Sequence, residues 1–253
     1  MKLDLPRFAP VLLAAAVVCV PVFALKTVPI AEVSPEEVIK RAAANETMLK
    51  AAERDFYYRQ DILVQTFGEA NSVRAQLHRV SEMTYDSSGN RTEKIIEYPP
   101  SPLAAMIGVL QPDFKSILGV DQYFLMPDLV SSYSIKFAGR KKVDDLSTYV
   151  FDVEPADARH FPKRDKNDHP FKGTVWIDEQ DLQIVKFEGC AVIAKDENAR
   201  YPKFECYREN IERGIWLPSL AYARDVLDLK RVDLPIKVEI KYTGYKRIKP
   251  RRY

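Results

Sequence analysis

The apolar and polar residues of this chain form one helical stripe, followed by a long series of strand-like segments. Ser34-Pro35-Glu36-Glu37 is a typical helix start: Ser34 can cap the helix, Pro35 suits the first turn and Glu37 completes a capping box. The apolar residues that then recur at helical spacing are Val38, Ala42, Leu49, Ala52 and Phe56, whereas Lys40, Arg41, Glu46, Lys50 and Glu53 lie off that stripe. This pattern predicts an amphipathic helix of about five turns that lies on a sheet.

Ten further segments are rich in β-branched and aromatic residues and are predicted to be strands. They cover residues 57–67, 73–85, 91–98, 134–142, 148–154, 172–177, 182–193, 203–211, 216–226 and 235–245. Short connections join most of them, including the turns Asp86–Asn90 and Asp178–Asp181. Strands do not alternate with helices, so a parallel, doubly wound fold is excluded. We therefore expect an α+β fold, mainly β, with a strongly curved antiparallel sheet of about ten strands and helices on its concave side.

The segment 103–126 differs from the rest because it is strongly apolar, carries few charges and is broken at Pro112. It is predicted to form one or two short helices. It either fills the core or forms the mobile lining of an apolar cavity, and in the second case Met106 and Met126 would adapt to flexible ligands. The lining would then consist of Leu103, Met106, Ile107, Leu110, Phe114, Ile117, Leu118, Phe124 and Met126.

The first 24 residues have the pattern of a secretory (Sec) signal peptide. Lys2 and Arg7 precede an unbroken apolar run over residues 11–20, and the residues before the expected cleavage, after Ala24, suit a signal peptidase. The alternative is an uncleaved N-terminal anchor; lipidation of Cys19 is disfavoured by the residues before it. We expect a protein exported to the periplasm or beyond, with a tether over 25–33 and a domain over 34–246. Residues 247–253 are expected to be a solvated basic tail.

Composition and charge indicate a globular protein and argue against one that binds nucleic acid. The 253 residues are 46% hydrophobic and 29% charged, which is typical of a globular chain. Lys and Arg number 38 and Asp and Glu number 36, so the charge balance does not favour nucleic acid as a partner.

Two cysteines remain after the signal peptide, Cys190 and Cys206, on segments predicted to be neighbouring strands of a hairpin. In an exported protein two cysteines usually pair, so a disulfide is expected between them. The alternative is two buried free thiols. The spacing of the cysteines does not match a zinc site.

Motifs for catalysis are scarce. His78, His160 and His169 are isolated from one another, and neither a nucleophile elbow nor a phosphate-binding loop occurs. Carboxylate pairs occur as Asp144 with Asp145, Asp178 with Asp181, and Asp225 with Asp228, all at turns or strand ends, where caps and solvated charges are usual. We therefore expect a protein that is not an enzyme and has no metal or cofactor. Trp176 and Trp216 are predicted to be core residues on neighbouring strands.

Two motifs resemble the outer-membrane lipoprotein-sorting family, which comprises the periplasmic lipoprotein carrier (LolA-like) and its relatives. The first is the predicted hairpin 171–189, with Gly173, Trp176, Ile177 and Asp178, and the second is Arg213-Gly214-Ile215-Trp216-Leu217-Pro218-Ser219. The order of elements over most of residues 34–246 also agrees. The resemblance implies an open, incomplete barrel (a half-barrel) whose helices lie in its mouth above an apolar cavity, without catalysis or cofactor.

The sequence thus predicts a monomeric periplasmic carrier that holds lipid or lipoprotein acyl chains, contacts membranes transiently and takes part in lipoprotein sorting. An acyl chain gains about 0.8 kcal/mol for each buried methylene, so an apolar cavity can hold it without a catalytic group. Two alternatives stay open. One is a non-catalytic envelope sensor or protein-interaction module of the same fold, and the other is a secreted hydrolase using Asp178 or Asp225.

Overall fold

The ten predicted strands all occur and form one antiparallel sheet in the computed structural model, which describes residues 33–86, 88–107, 109, 111–162, 168–193, 201–228 and 233–248. The strands are β1 (Phe56–Phe67), β2 (Val73–Tyr85), β3 (Arg91–Glu97), β4 (Tyr133–Val143), β5 (Leu146–Pro155), β6 (Phe171–Asp178), β7 (Ile184–Ala191), β8 (Phe204–Glu212), β9 (Ile215–Asp228) and β10 (Asp233–Arg247). The helices are α1 (Pro35–Ala52), α2 (Pro102–Met106) and α3 (Phe114–Leu118), with 3₁₀ turns at Glu53–Asp55, Glu69–Asn71 and Val130–Ser132.

The strand order places β3 and β4 at opposite edges of the sheet, although they follow one another in the chain. The order is β3-β2-β1-β10-β9-β8-β7-β6-β5-β4, so the sheet is open, as the predicted half-barrel requires. Two antiparallel meanders, β1 to β3 and β4 to β10, are joined by the pairing of β1 with β10. The connection from β3 to β4, residues 98–132, therefore has to cross the sheet. That path explains why this connection is apolar and contains α2 and α3.

The register of the central strands defines the face that this connection covers, which we call the inner face. Phe187 lies opposite Cys206, and Gly189 lies opposite both Gly173 and Phe204. The Phe171 ring lies over the glycine pair, since a Cβ placed on Gly173 would stand 2.6 Å from the ring carbon Cζ. The two glycines thus leave room for an aromatic ring against the backbone.

Helix α1 has the predicted length of five turns, and the Ser34 Oγ accepts a hydrogen bond from the Glu37 amide at 3.3 Å. The Glu37 carboxylate accepts from the Arg41 guanidinium rather than turning back to complete a capping box. Two acids predicted to lie off the apolar stripe, Glu46 and Glu53, are instead buried against the sheet. They occur three or four residues from Ala42, Leu49 or Phe56, which is the spacing of the stripe itself.

A second core contains both tryptophans. Trp176 and Trp216 pack with Val150 and Val185. The predicted core role is confirmed, but the two residues lie on β6 and β9, which are not neighbouring strands.

The C-terminal strand extends further than predicted. Arg247, expected in the solvated tail, belongs to β10, and its guanidinium binds the carboxylates of Glu212 and Asp55. The signal peptide and most of the tether lie outside the described residues, as do Leu110 and residues 249–253. No helix within the described residues is both long and apolar enough to cross a membrane.

Candidate functional site

A cluster of aromatic side chains lies between the sheet and the residues Phe114–Leu129, which we call the cap segment. The Phe124 ring stacks on the Phe171 ring with 4.2 Å between centroids and contacts the Phe187 ring at 5.3 Å. The Phe114 ring meets the Phe204 ring edge-on at 5.7 Å. Side-chain packing on the inner face therefore holds the cap segment, which adds no strand to the sheet.

Five of the nine predicted lining residues are buried. Those that are buried are Leu103, Phe114, Ile117, Leu118 and Phe124. Ile107 and Met126 are half-buried, Met106 is 48% exposed, and Leu110 lies outside the described residues. In this conformation Phe114 alone among these residues borders the cavity described below.

A buried ion pair connects α1 to β8 beside the aromatic cluster. The Arg208 guanidinium donates two hydrogen bonds to the Glu46 carboxylate and a third to the Gln122 carbonyl at 2.8 Å. It also lies over the Tyr123 ring, 5.2 Å from the centroid. Burial acts to lower the pKa of Arg208, but the charge and hydrogen bonds of Glu46 outweigh burial and raise that pKa. The pair thus joins the helix, the cap segment and the sheet.

Glu53, just after α1, is a second buried acid. Its two carboxylate oxygens accept hydrogen bonds from the hydroxyls of Tyr58, at 2.8 Å, and Tyr123, at 3.0 Å. Burial raises the pKa of Glu53, although these two hydrogen bonds oppose the shift. Burial also raises the pKa of Tyr85, nearby on β2, to about 12.

These groups border a cavity of about 430 Å³, which we call the polar cavity. Its wall is formed mainly by charged and tyrosine side chains, so it differs from the predicted apolar hollow. The charged residues are Lys50, Glu53, Arg54, Arg91, Asp113, Lys115 and Asp121, and the tyrosines are Tyr58, Tyr85, Tyr123 and Tyr242. The one detectable sign of this site in the sequence is that Glu46 and Glu53 interrupt an apolar helical stripe at helical spacing. The tyrosines and Arg91 come from strands and loops far apart in the chain, without a local motif.

The expected disulfide is wrong, because Cys190 and Cys206 are free thiols in this structure. Cys206 lies opposite Phe187 on the inner face, whereas Cys190 is three residues further along β7. An odd separation along a strand directs two side chains to opposite faces of a sheet. Burial raises the pKa of Cys206 to about 12, and burial also raises the pKa of Cys190.

Asp178 and Asp225, which were considered for catalysis, accept hydrogen bonds from backbone amides. The Asp178 carboxylate accepts from the amides of Gln180 and Asp181, at 2.9 and 2.7 Å, and so closes the turn after β6. The Asp225 carboxylate accepts from the amide of Lys203 at 2.8 Å. The contacts of Asp178 agree with the interpretation of such acids as turn caps, whereas Asp225 lies within β9 and binds the segment before β8.

The histidines lie apart from one another. His78 lies between the carboxylates of Asp61 and Glu97, and His160 contacts Asp157. Within the described ranges, no group of three or more His, Cys, Asp or Glu side chains is placed to hold a metal ion.

Comparison with known proteins gives similarities at the level of structure alone. No family model and no curated protein matches the chain. A DUF1329 family protein from Desulfovibrio piger has 10% identity and a TM-score of 0.41, over 83% of this chain and 92% of that one. A LolA superfamily protein from Nitrosomonas europaea has 12% identity and a TM-score of 0.40, over 87% and 96%. An outer membrane lipoprotein-sorting protein domain, described as putative, from Vibrio parahaemolyticus has 12% identity and a TM-score of 0.36, over 83% and 93%.

Proposed function

We propose that this protein is an exported, non-catalytic carrier that binds acyl chains of lipids or lipoproteins between the inner face of its sheet and the cap segment. The observation that carries this proposal is the aromatic contact of Phe114 and Phe124 with the sheet. Because apolar packing holds the rings of Phe114 and Phe124 there, an acyl chain can replace the contacts of these two rings when it enters.

For an exchange that displaces only the rings of Phe114 and Phe124, the expected gain exceeds the cost. Exposing two phenylalanines costs roughly 3–6 kcal/mol, at about 1.5–3 kcal/mol for each side chain. An acyl chain that buries about 12 methylenes gains roughly 10 kcal/mol when it leaves water. The predicted lining residues of the cap segment, such as Ile117 and Leu118, would then contact the chain.

The test is to hold the cap segment closed with a crosslink. The Thr47 hydroxyl of α1 lies 3.9 Å from the sulfur of Met126, so cysteines at these two positions can be joined by a short cleavable bismaleimide. The Cys190→Ser background removes the accessible native thiol. We expect the open protein to bind cis-parinaric acid, the crosslinked protein to bind it at least about tenfold more weakly, and reductive cleavage to restore binding.

The matched control is the same crosslink between cysteines at positions 82 and 94, where an exposed ion pair joins β2 and β3. That crosslink should leave binding unchanged. Equal binding by the cap-crosslinked and cleaved proteins would contradict the proposal, as would the absence of any lipid from a solvent extract of the purified protein. A mature N-terminus at Leu25 would support export.

One feature favours the alternative of a protein-interaction module. β3 is an edge strand, and its Ile95 and Ile96 are 51% and 45% exposed, which is a suitable edge for a partner strand. In that case, Ile95→Lys with Ile96→Lys would abolish capture of a protein partner, whereas the cap crosslink would not.

A further inference from the structure

The carboxylates around the polar cavity already have donors within the protein. Glu53 accepts from its two tyrosines, as described above. Asp121 accepts from the Lys50 ammonium at 3.1 Å. Asp113 accepts from the Ser116 amide at 2.7 Å and so caps α3. None of these acids therefore needs a ligand to satisfy it, and a cationic ligand would have to break an existing interaction.

The guanidinium groups at the same cavity, in contrast to these carboxylates, have no ion-pair partner within the described residues. Within the described chain, neither Arg54 nor Arg91 has a carboxylate within 4.0 Å. Arg91 approaches the sulfur of Met83 at 3.9 Å, and sulfur is a weak acceptor. Arg54 lies beside Gly89 in the turn between β2 and β3. Two such guanidiniums on one cavity form a complement for phosphate or carboxylate, whose oxygens accept paired hydrogen bonds from arginine.

The remaining basic residues at the cavity, Lys50 and Lys115, each have a carboxylate partner. Lys50 is paired with Asp121, and the Lys115 ammonium lies 3.2 Å from the Asp168 carboxylate. Arg54 and Arg91, both exposed to solvent, are thus the basic residues of this cavity that have no carboxylate of the described chain within 4.0 Å.

The polar cavity also adjoins the aromatic cluster. Phe114 belongs to both, because it borders the cavity and its ring contacts those of Phe187 and Phe204. A molecule with a charged head and an apolar tail can therefore place the head in the cavity and the tail under the cap segment without crossing a further layer of protein.

We propose that the polar cavity is a head-group subsite, in which Arg54 and Arg91 bind the phosphate or carboxylate of an anionic amphiphile. This inference rests on the proposed acyl-carrier function, since the tail of the amphiphile occupies that site.

The experiment compares amphiphiles with the same tail below their critical micelle concentrations. Calorimetry should give a dissociation constant for dodecyl phosphate about tenfold lower than that for dodecyl maltoside. Arg54→Gln with Arg91→Gln should remove this preference, so that the two dissociation constants become equal. The matched control, Arg59→Gln with Arg74→Gln, makes the same change of charge at exposed positions of β1 and β2 and should retain the preference.

Competition with inorganic phosphate tests whether the anion that binds is a lipid head group or free phosphate. Weak competition by inorganic phosphate against dodecyl phosphate supports a lipid head group. Binding of inorganic phosphate to the wild type but not to the Arg54/Arg91 double variant, without binding of either amphiphile, would support the anion subsite and overturn the carrier function. Equal affinity for both amphiphiles, or a preference that survives the double substitution, would overturn the subsite and leave the carrier function standing. A thermal unfolding scan of each variant verifies that it is folded.

Discussion

Glu46 of α1 and Arg208 of β8 form an ion pair whose side chains are both 0% exposed. Removing one partner leaves the other charged and buried, which costs about 3–5 kcal/mol in comparable cases. We expect Arg208→Met to lower the free energy of unfolding, measured by urea titration, by that amount. The double variant Glu46→Leu with Arg208→Met should be more stable than the single variant, because it buries no unpaired charge.

The exposed pair of Lys94 and Glu82 provides the control for this measurement. Lys94→Met should change the free energy of unfolding by less than about 1 kcal/mol, since solvent screens exposed ion pairs. Equal losses for Lys94→Met and Arg208→Met would show that the buried pair has no special role.

Glu53 should make stability depend on pH. Because burial raises its pKa above 4.5, the folded protein holds this proton to a higher pH than the unfolded chain does. Its contribution to the free energy of unfolding therefore falls as the pH rises above about 4.5. In urea titrations between about pH 4 and 8, we expect Glu53→Gln to reduce this decline, so that the wild type loses more stability than the variant as the pH rises.

Glu82 should change the free energy of unfolding with pH in the opposite direction to Glu53. Hydrogen bonds from Tyr57 and Lys94 lower its pKa, so its contribution is present at neutral pH and is lost as the pH falls below about 4.5. The effect of Glu82→Gln should accordingly depend on pH only in that acidic range. The prediction for Glu53 fails if the two variants show the same pH dependence.

Gly173 should not tolerate a side chain. A Cβ at this position would collide with the carbonyl oxygen of Glu188 and with the ring of Phe171. We expect Gly173→Ala to lower the free energy of unfolding by about 3 kcal/mol, the upper part of the range for overpacked sites. Gly68→Ala is the control, because its Cβ would lie 3.7 Å from the nearest atom, the Ser72 Oγ, and should cost less than about 1 kcal/mol. The denaturation midpoints of the two variants decide between these outcomes.

The two thiols should differ in reactivity. Cys206 is buried and its pKa is raised to about 12, so we expect iodoacetamide to label it on the order of 100-fold more slowly than Cys190 in the folded protein at pH 8. After unfolding without a reductant, mass spectrometry should find both tryptic peptides fully labelled. A disulfide-linked peptide in that experiment would contradict the structure.

Much of the fold was predictable because its signals are local. Alternation between the two faces of a strand and the start of α1 at Ser34 depend on neighbouring residues only, so all ten strands and the helix were predicted close to their observed bounds. The role of Asp178 at its turn was predictable for the same reason.

The candidate site was less predictable because it depends on strand register and order. Cys206 pairs with Phe187, and Cys190 lies three residues from Phe187 along β7. This odd separation is enough to place the two thiols on opposite faces, and no local pattern specifies it. The acids Glu46 and Glu53 were expected to face solvent, since a buried carboxylate is stable only where distant partners meet it. Those partners, Arg208 and the hydroxyls of Tyr58 and Tyr123, come from β8, β1 and the cap segment.

The sequence by itself determined the type, number and approximate limits of the elements, because apolar periodicity and turn residues act within a few positions. Only the tertiary structure decided that the apolar connection crosses from one edge of the sheet to the other and packs on Phe171, Phe187 and Phe204. The physical reason is that burial and hydrogen-bond pairing are settled between residues far apart in the chain. The polar cavity beside Glu53 arises from that long-range packing.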